Sequence, residues 1–411
     1  MLNVLWVGFF LTAFLIALVK LVLFGDAGIF AALTKALFDA SKSAFEIALG
    51  LTGVMTLWLG VMKVGERAGM VDLLTRGLAP LFRRLFPDVP ERHPALGAMT
   101  MNMAANMLGL DNAATPLGIK AMKELQTLNP HPDRASDAQV LFLVINTASV
   151  TLLPVTIFTY RAQLGARDPT DVFVPLLITT YLGTLVGLVA TRFFQRFALL
   201  DRVTLAYVGG ATLAIVALIA HFARLDAATL ARQSAIVSNV LLFGLVAMFL
   251  VGAALRRVNA YEAFIEGAKD GFHTAVGIIP YLVAMLVAIA VFRASGALEA
   301  LMDGLRHGVA QLGLDARWVD GLPTALMKPF SGSGARAMMI STMQTYGADS
   351  FAGRLASIIQ GSTETTFYVL AVYFGAVGIR RVRHAVACGL IADVAGIAAG
   401  IAMAYLFFGR S

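Results

Sequence analysis

The chain has 411 residues, of which 58% are hydrophobic and only 14% charged, and its mean hydropathy is +0.78. So little polar surface excludes a soluble globular protein and points to an all-α polytopic membrane protein. The net charge of +7 lies in short basic clusters between apolar runs, which is the pattern of membrane topology and not of a nucleic-acid partner. The single cysteine, Cys388, sits in an apolar run and excludes an intramolecular disulfide framework.

The first apolar run, Val4 to Val19, has no basic residue before it and no convincing small-residue cleavage site after it. It reads as the first span and not as a removable signal. Nine runs are long enough to cover about 30 Å of hydrocarbon: 3–24, 43–62, 138–160, 172–191, 205–221, 234–255, 272–292, 354–377 and 385–408. Two further apolar stretches, 95–126 and 322–346, are interrupted by Gly- and Asn- or Ser-rich breaks. In the second, the arms Leu322 to Phe330 and Ala335 to Thr345 reach only about 13 and 16 Å at about 1.5 Å per residue, half a membrane each. Both stretches are therefore expected as re-entrant hairpins.

With a cytoplasmic N-terminus, the basic groups Lys63 to Arg92, Arg192 to Arg202, Arg256 with Arg257, and Arg380 to Arg383 all fall inside. The opposing loops 25–42, 161–171, 222–233 and 293–321 carry two or three basic residues each, so the bias is moderate. The first hairpin then enters from the cytoplasm and the second from outside, as two inverted copies of one unit require.

The sequence contains such copies. Ala68 to Leu78 aligns without gaps on Ser295 to Leu305, a shift of 227 that also pairs Gly50 with Gly277. A shift of 214 places Val144-Ile-Asn146 on Ile358-Ile-Gln360, Ser149 on Thr363 and Thr151 on Thr365. This organisation predicts an N-terminal span and loop over 1–42, a first repeat over 43–204, bridging spans over 205–257 and a second repeat over 258–411. Inverted repeats with discontinuous helices place a binding site near the midplane, where freed backbone groups can hold solute or ion.

Four polar segments are candidates to line that site. The first runs from Asn102 to Pro116, where Gly109 and Pro116 are expected to break the helix and Asn102, Asn106, Asp111, Asn112 and Thr115 offer ligands. The second contains Asn146, Ser149 and Thr151 ahead of Pro154. The third is a glycine-rich reversal, Ser331-Gly-Ser333-Gly334, followed by Arg336, whose amides could receive a polar or anionic solute. The fourth is Gln360-Gly-Ser362-Thr363-Glu364-Thr365-Thr366, polar at the centre of an otherwise apolar span.

An ionised Glu364 facing lipid would cost about 2.5 to 3.5 kcal/mol or more, so it is expected to face a cavity or the protein interior. On a continuous helix Gln360 and Glu364 would share one face. Ion pairing of Glu364 with Arg336 or Lys328 is the structural alternative, and helix capping is that for Asp111. Asp393 lies mid-span beside Gly396, where a proton-linked role and pairing with Lys120 or Lys328 both fit. The six histidines, His93, His131, His221, His273, His307 and His384, lie in loops or near span ends without metal-site spacing.

At these residues the chain resembles a known family. Asn102-Met-Ala-Ala-Asn-Met-Leu-Gly-Leu-Asp-Asn-Ala-Ala-Thr-Pro-Leu-Gly-Ile-Lys-Ala-Met122 is similar to the signature of spore maturation protein A. Lys328-Pro-Phe-Ser-Gly-Ser-Gly-Ala-Arg336 and Gln360-Gly-Ser-Thr-Glu-Thr-Thr-Phe-Tyr368 are similar to that of spore maturation protein B. The chain as a whole resembles a fusion of the two, each half carrying the nucleoside recognition or gate domain that also occurs in concentrative nucleoside transporters and ferrous iron permeases. The resemblance implies solute movement, and in sporulating relatives a link to dehydration of the spore core.

These readings converge on a secondary transporter of a small polar solute, with a nucleoside-like molecule one class, working by alternating access. It is expected to need no cofactor or metal beyond a coupling H+ or Na+, bound at Glu364, Asp111 or Asp393. The expected location is the cytoplasmic membrane, with the bilayer and the solute as partners, and a homo-oligomer is compatible with the sequence. The alternatives are a membrane scaffold or regulatory protein with a transporter-like fold, and an intramembrane serine enzyme using Ser331 or Ser333. The enzyme reading lacks a base, because no histidine is expected at midplane depth.

Overall fold

The computed structural model describes residues 2–197, 199 and 201–409, with the side chains of Leu2, Asp111, Asn112 and Ala113 outside the described set. It is helical, with no strand among the described residues. The elements in order are α1 (Leu2–Phe24), α2 (Ile29–Arg67), α3 (Met70–Leu85), α4 (Pro94–Met107), α5 (Asp111–Thr127), α6 (Asp137–Thr147), α7 (Val155–Gln163) and α8 (Phe173–Phe194). Then α9 (Arg202–Thr204) runs through a π turn into α10 (Gly210–Ala223), followed by α11 (Ala227–Leu255), α12 (Ala260–Ala294) and α13 (Ala297–Gln311). A 3-10 turn leads into α14 (Leu322–Met327), and α15 (Gly332–Tyr346), α16 (Phe351–Ser362), α17 (Thr366–Gly375) and α18 (Ala385–Phe408) complete the chain.

Among the described residues, seven helices are long and apolar enough to cross a membrane: α1, α2, α8, the α9–α10 helix, α11, α12 and α18. The protein is a multi-pass membrane protein. The other two expected spans, 138–160 and 354–377, are each split into two half-helices, α6 with α7 and α16 with α17. Expected loop 25–42 and span 43–62 are corrected: only a short turn precedes α2, whose 39 residues reach about 58 Å. Its first third escapes a hydropathy reading because it carries the exposed Lys35 and Asp39, while Ile29 and Leu33 pack inward on Val287 and Val291 of α12. In the same way α12 begins well before the expected 272, capped by the Asn259 side chain, and α11 before 234, capped by Asp226.

Helix starts and ends follow the repeat. α2 stops at Arg67 and α12 at Ala294, and α3 and α13 begin three residues later after Gly69 and Gly296, both left-handed (φ 73° and 85°). A side chain is strained in that conformation, which is why glycine stands at both corners. From there each copy runs through an amphipathic helix, a helical hairpin (α4–α5, α14–α15), a broken helix and a closing helix (α8, α18).

The two copies meet antiparallel. A Cβ on Gly267 would lie 2.3 Å from the Leu59 carbonyl oxygen and one on Gly271 2.7 Å from that of Met55, so α12 descends along α2 as residue numbers rise. Likewise Gly183 of α8 faces Gly396 of α18, while Gly400 faces Thr179. Equivalent helices running antiparallel on each other are what an inverted-topology repeat requires. Small residues at these crossings let the backbones approach within van der Waals contact, the attraction available between helices in lipid.

Candidate functional site: two broken helices and a central polar cavity

Residues that interrupt α6–α7 and α16–α17 meet at the centre. α6 ends at Thr147 and α7 starts after Pro154, while α16 ends at Ser362 and α17 starts after Thr365. Thr363 is extended (φ −146°, ψ 171°), so Gln360 and Glu364 do not share a helix face as expected; the polar run ends the helix before a full turn separates them. The Glu364 N–H donates to the Thr147 carbonyl at 2.7 Å, joining one half-helix end to the other break. Each break is also tied to its own hairpin: Leu152 N–H to Met107 O at 2.8 Å, and Phe367 N–H to Pro329 O at 3.0 Å.

Hairpin geometry refines two expectations. Gly109 (φ 69°) makes the first reversal, and a Cβ there would fall 2.5 Å from the Leu153 carbonyl oxygen. Pro116 does not break the chain: it lies inside α5, which runs on to Thr127. In the second hairpin the reversal is Lys328 to Ser331, and Gly332 to Gly334 already form the first turn of α15. The Ser331 hydroxyl caps that helix by accepting from Gly334 N–H at 3.0 Å and lies 3.2 Å from the Ser333 hydroxyl.

A cavity of about 110 Å³ lies between the breaks and the hairpin tips, lined by Asn106, Ser149, Thr151, Arg336, Gln360, Thr363 and Glu364 among others. Among the described residues, buried side-chain oxygens of Ser149 and Gln360 find no hydrogen-bond partner. An unsatisfied buried polar group costs about 1–3 kcal/mol, so two around one cavity favour occupancy by water or polar solute over dry packing. The Arg336 guanidinium is held over the Tyr160 ring at 5.7 Å. Glu364 is exposed into this cavity and into a second of about 260 Å³, which shares Asn106, Arg336 and Glu364 and adds Thr115, Asn146, Tyr368 and Tyr373.

The wall between them is a polar network across both copies. Asn106 donates to the Asn146 side-chain oxygen at 2.8 Å, Tyr373 donates to the same atom at 3.3 Å, and Asn146 donates back to Phe142 O at 2.9 Å. Asn102 bonds Ala114 O at 2.8 Å and reaches the Tyr373 hydroxyl at 3.4 Å. Asn102 thus braces the hairpin and lines neither cavity.

Three further candidates sit behind the lining. Ser362 bonds back to Ile359 O at 2.8 Å, Thr365 is buried against Gly332, and Asp393 accepts from the Thr366 hydroxyl at 2.6 Å. Asp111 and Asn112 head α5, and their side chains lie outside the described residues. No cluster able to hold a metal occurs among the described residues. Sequence reasoning passed over Tyr373 and Tyr160, which look like ordinary span aromatics, and gave Lys328 no site role, although a lysine inside an apolar hairpin was a signal.

Two polar vestibules lie at opposite ends of the α2–α12 pair. One, of about 290 Å³, is lined by Leu59, Lys63, Glu66, Gly267 and Asp270 and by Gly109, Val155 and Thr156, the last three also lining the central cavity. The other, of about 280 Å³, is lined by Leu286, Ala290, Arg293, Ala40 and Ser43, which are the 227-residue counterparts of the first five, with Gln344 and Thr345. Among the described residues it shares none with the central cavity. Outside the spans, loop ion pairs clamp each end: Asp133 with Arg381 (2.6 Å) at one, Asp171 with Arg161 (2.8 Å) and Arg354 (2.7 Å) at the other. The Arg381 guanidinium hydrogen-bonded to Asp133 holds its carboxyl below the ordinary carboxylate value.

Comparison with known proteins agrees with this two-fold plan. A family model described as Gate, nucleoside recognition, matches twice, at residues 48–163 and 275–380. Spore maturation protein B of Bacillus subtilis (strain 168) is 47% identical over 183 residues, covering 44% of this chain and 96% of that protein. Spore maturation protein A of the same organism is 36% identical over 194 residues, covering 47% of this chain and 95% of that protein.

Proposed function

We propose that this chain, which belongs to the Gate, nucleoside recognition, family, is a secondary transporter of a small polar solute working by alternating access. The observation that carries this reading is the junction of the two broken helices at Thr147 and Glu364, surrounded by buried polar atoms without protein partners. Freed backbone and side-chain groups at midplane depth are tolerated where they line a solute cavity.

The repeat-related vestibules support alternation. One adjoins the central cavity through Gly109, Val155 and Thr156 while its counterpart does not, so the two copies of one sequence pattern stand in different states. Exchange of those states would open the site to the opposite face. Arg336 and Glu364 in the cavity wall favour a solute that is neutral or carries both charges, and the Tyr368 and Tyr373 rings beside them suit a planar, nucleoside-like group. Coupling by H+ is assigned to the Glu364 region, the membrane is the cytoplasmic membrane, and the α2 C-terminal face is cytoplasmic on the charge distribution.

The test is flux in proteoliposomes, with a panel of nucleosides, nucleobases, amino acids and small polyols under imposed pH and Na+ gradients. The expected result is saturable uptake of one class driven by one gradient. No uptake or exchange of any panel member under either gradient overturns the reading.

A further inference from the structure

The C-terminal end of half-helix α16 already holds a cation. A helix end presents unsatisfied carbonyls and about half a negative charge, an intrinsic site for a positive ion. Here Lys328, at the tip of the second hairpin and only 3% exposed, donates its ammonium to the Gln360 carbonyl at 2.6 Å. Burying an ammonium this deeply requires a counter-charge.

Asp393 supplies one. It is 1% exposed on α18, the helix that packs on the break just beyond the Gln360 carbonyl that holds the Lys328 ammonium. One carboxylate oxygen accepts from the Thr366 hydroxyl at 2.6 Å, and the buried Thr363 hydroxyl lies beside the same carboxylate. The helix reaches this position because glycines flank the aspartate: a Cβ on Gly389 would come within 2.8 Å of Thr366 and one on Gly396 within 3.0 Å of Thr363. The α18 backbone therefore lies directly on the break.

The first repeat lacks both charges. Matching the hairpin helices α5 and α15 puts Met107 opposite Lys328, and matching Gly183 with Gly396 puts Thr180 opposite Asp393. There the half-helix end at Thr147 is satisfied by the neutral Glu364 N–H. Lysine and aspartate occur together in one copy and are absent together from the other.

We infer that Lys328 is a tethered cation occupying a monovalent-cation position at the end of α16, balanced by Asp393. The position consequently takes no Na+ in the native protein. Removing the ammonium exposes a Na+ site formed by the Gln360 carbonyl, the Asp393 carboxylate and the Thr363 hydroxyl, all oxygen donors suited to a hard cation. The inference rests on the transport reading only for its flux consequence, because the cation position exists whether or not solute moves.

Thermal unfolding of the purified full-length protein in detergent, in NaCl against choline chloride at equal ionic strength, tests it. The native protein is expected to unfold at the same temperature in both salts. Lys328→Ala is expected to melt several degrees lower in choline and to recover saturably with Na+, and Lys328→Ala with Asp393→Asn is expected to lose that recovery. Lys328→Gln, which retains a neutral donor, serves if the alanine variant does not fold, with the same expected Na+ response. A saturable Na+ stabilisation of the native protein, or lysine variants that respond to Na+ no more than native, overturns the assignment. In proteoliposomes native flux should ignore replacement of Na+ by choline and Lys328→Ala flux should require Na+. Absence of any native flux would sink the transport reading while the melting result still decides the cation position.

Discussion

The Glu364 N–H and the Thr147 carbonyl, 2.7 Å apart, tie the broken helix of one repeat to that of the other. This backbone bond fixes where Glu364 sits without using its side chain, which is exposed into two cavities. Glu364→Gln should therefore leave the fold intact and remove only the charge. A hydrogen bond to a charged group contributes about 1.5–3 kcal/mol, and about 1.4 kcal/mol is tenfold in rate or affinity. Uptake is expected to fall by about ten- to a hundredfold with loss of its pH dependence, while the melting temperature moves little. Intact uptake with an unchanged pH profile would remove Glu364 from the mechanism.

Gly109 and Gly97 make opposite predictions for the same substitution. Gly109 is left-handed, and a Cβ would meet the Leu153 carbonyl at 2.5 Å, so Gly109→Ala should cost at least about 1–2 kcal/mol. Gly97 lies inside α4, where an added Cβ would meet nothing within 4 Å, so alanine there should stabilise by about 0.5–1 kcal/mol. Melting temperatures of the two variants should move in opposite directions, and a common direction would contradict the hairpin-tip geometry.

The Asn146 side chain accepts from Asn106 and Tyr373 and donates to Phe142 O, all within a 2% exposed position. Asn146→Leu leaves the Asn106 amide and Tyr373 hydroxyl without that acceptor and should cost about 2–3 kcal/mol, whereas Tyr373→Phe removes two long bonds, to Asn146 and from Asn102, and should cost about 1 kcal/mol. Denaturant unfolding of the pair in detergent measures both. Equal losses would show that Tyr373 bears more of the network than its 3.3 Å contact implies.

Much of this arrangement is legible in the sequence because it depends on polarity at depth and on repetition. Gly69 and Gly296 mark equivalent corners, and Ser149 and Thr363 mark equivalent breaks, since a polar residue inside an apolar run has few structural uses. What escaped the reading depends on contacts distant in sequence. Gln360 and Glu364 look like neighbours one turn apart until the end of α16 at Ser362 separates them. The first third of α2 looks like a loop because its exposed Lys35 and Asp39 mask an inner face that α12 explains. The sequence offers Lys120 and Lys328 alike as partners of Asp393, and nothing local to any of the three separates the two lysines.

Asp133 gives the loop clamp a pH dependence of known sign. Its carboxyl is held below the ordinary value by its hydrogen bonds to Arg381, so the clamp contributes fully above the unfolded carboxylate pKa of about 3.9. The contribution fades as pH falls through the lower folded value. Asp133→Asn should remove this part of the acid sensitivity, measured as the native-minus-variant difference in melting temperature between about pH 3 and 6. A difference that grows on acidification would reverse the sign and contradict the pairing.

The inverted arrangement can be checked with thiols, because the native Cys388 is buried and gives a quiet background. Ser43 and Asp270 occupy equivalent positions 227 residues apart, yet line vestibules at opposite ends of the antiparallel α2–α12 pair. In sealed vesicles of uniform orientation, a membrane-impermeant maleimide should label Ser43→Cys from one side only and Asp270→Cys from the other only. Ser43 also accepts from Gln344 at 2.9 Å, so Gln344→Ala should speed labelling of Ser43→Cys and leave that of Asp270→Cys unchanged. Labelling of both cysteines from the same face would mean that the repeats are parallel, and the alternating-access reading would lose the symmetry on which it depends.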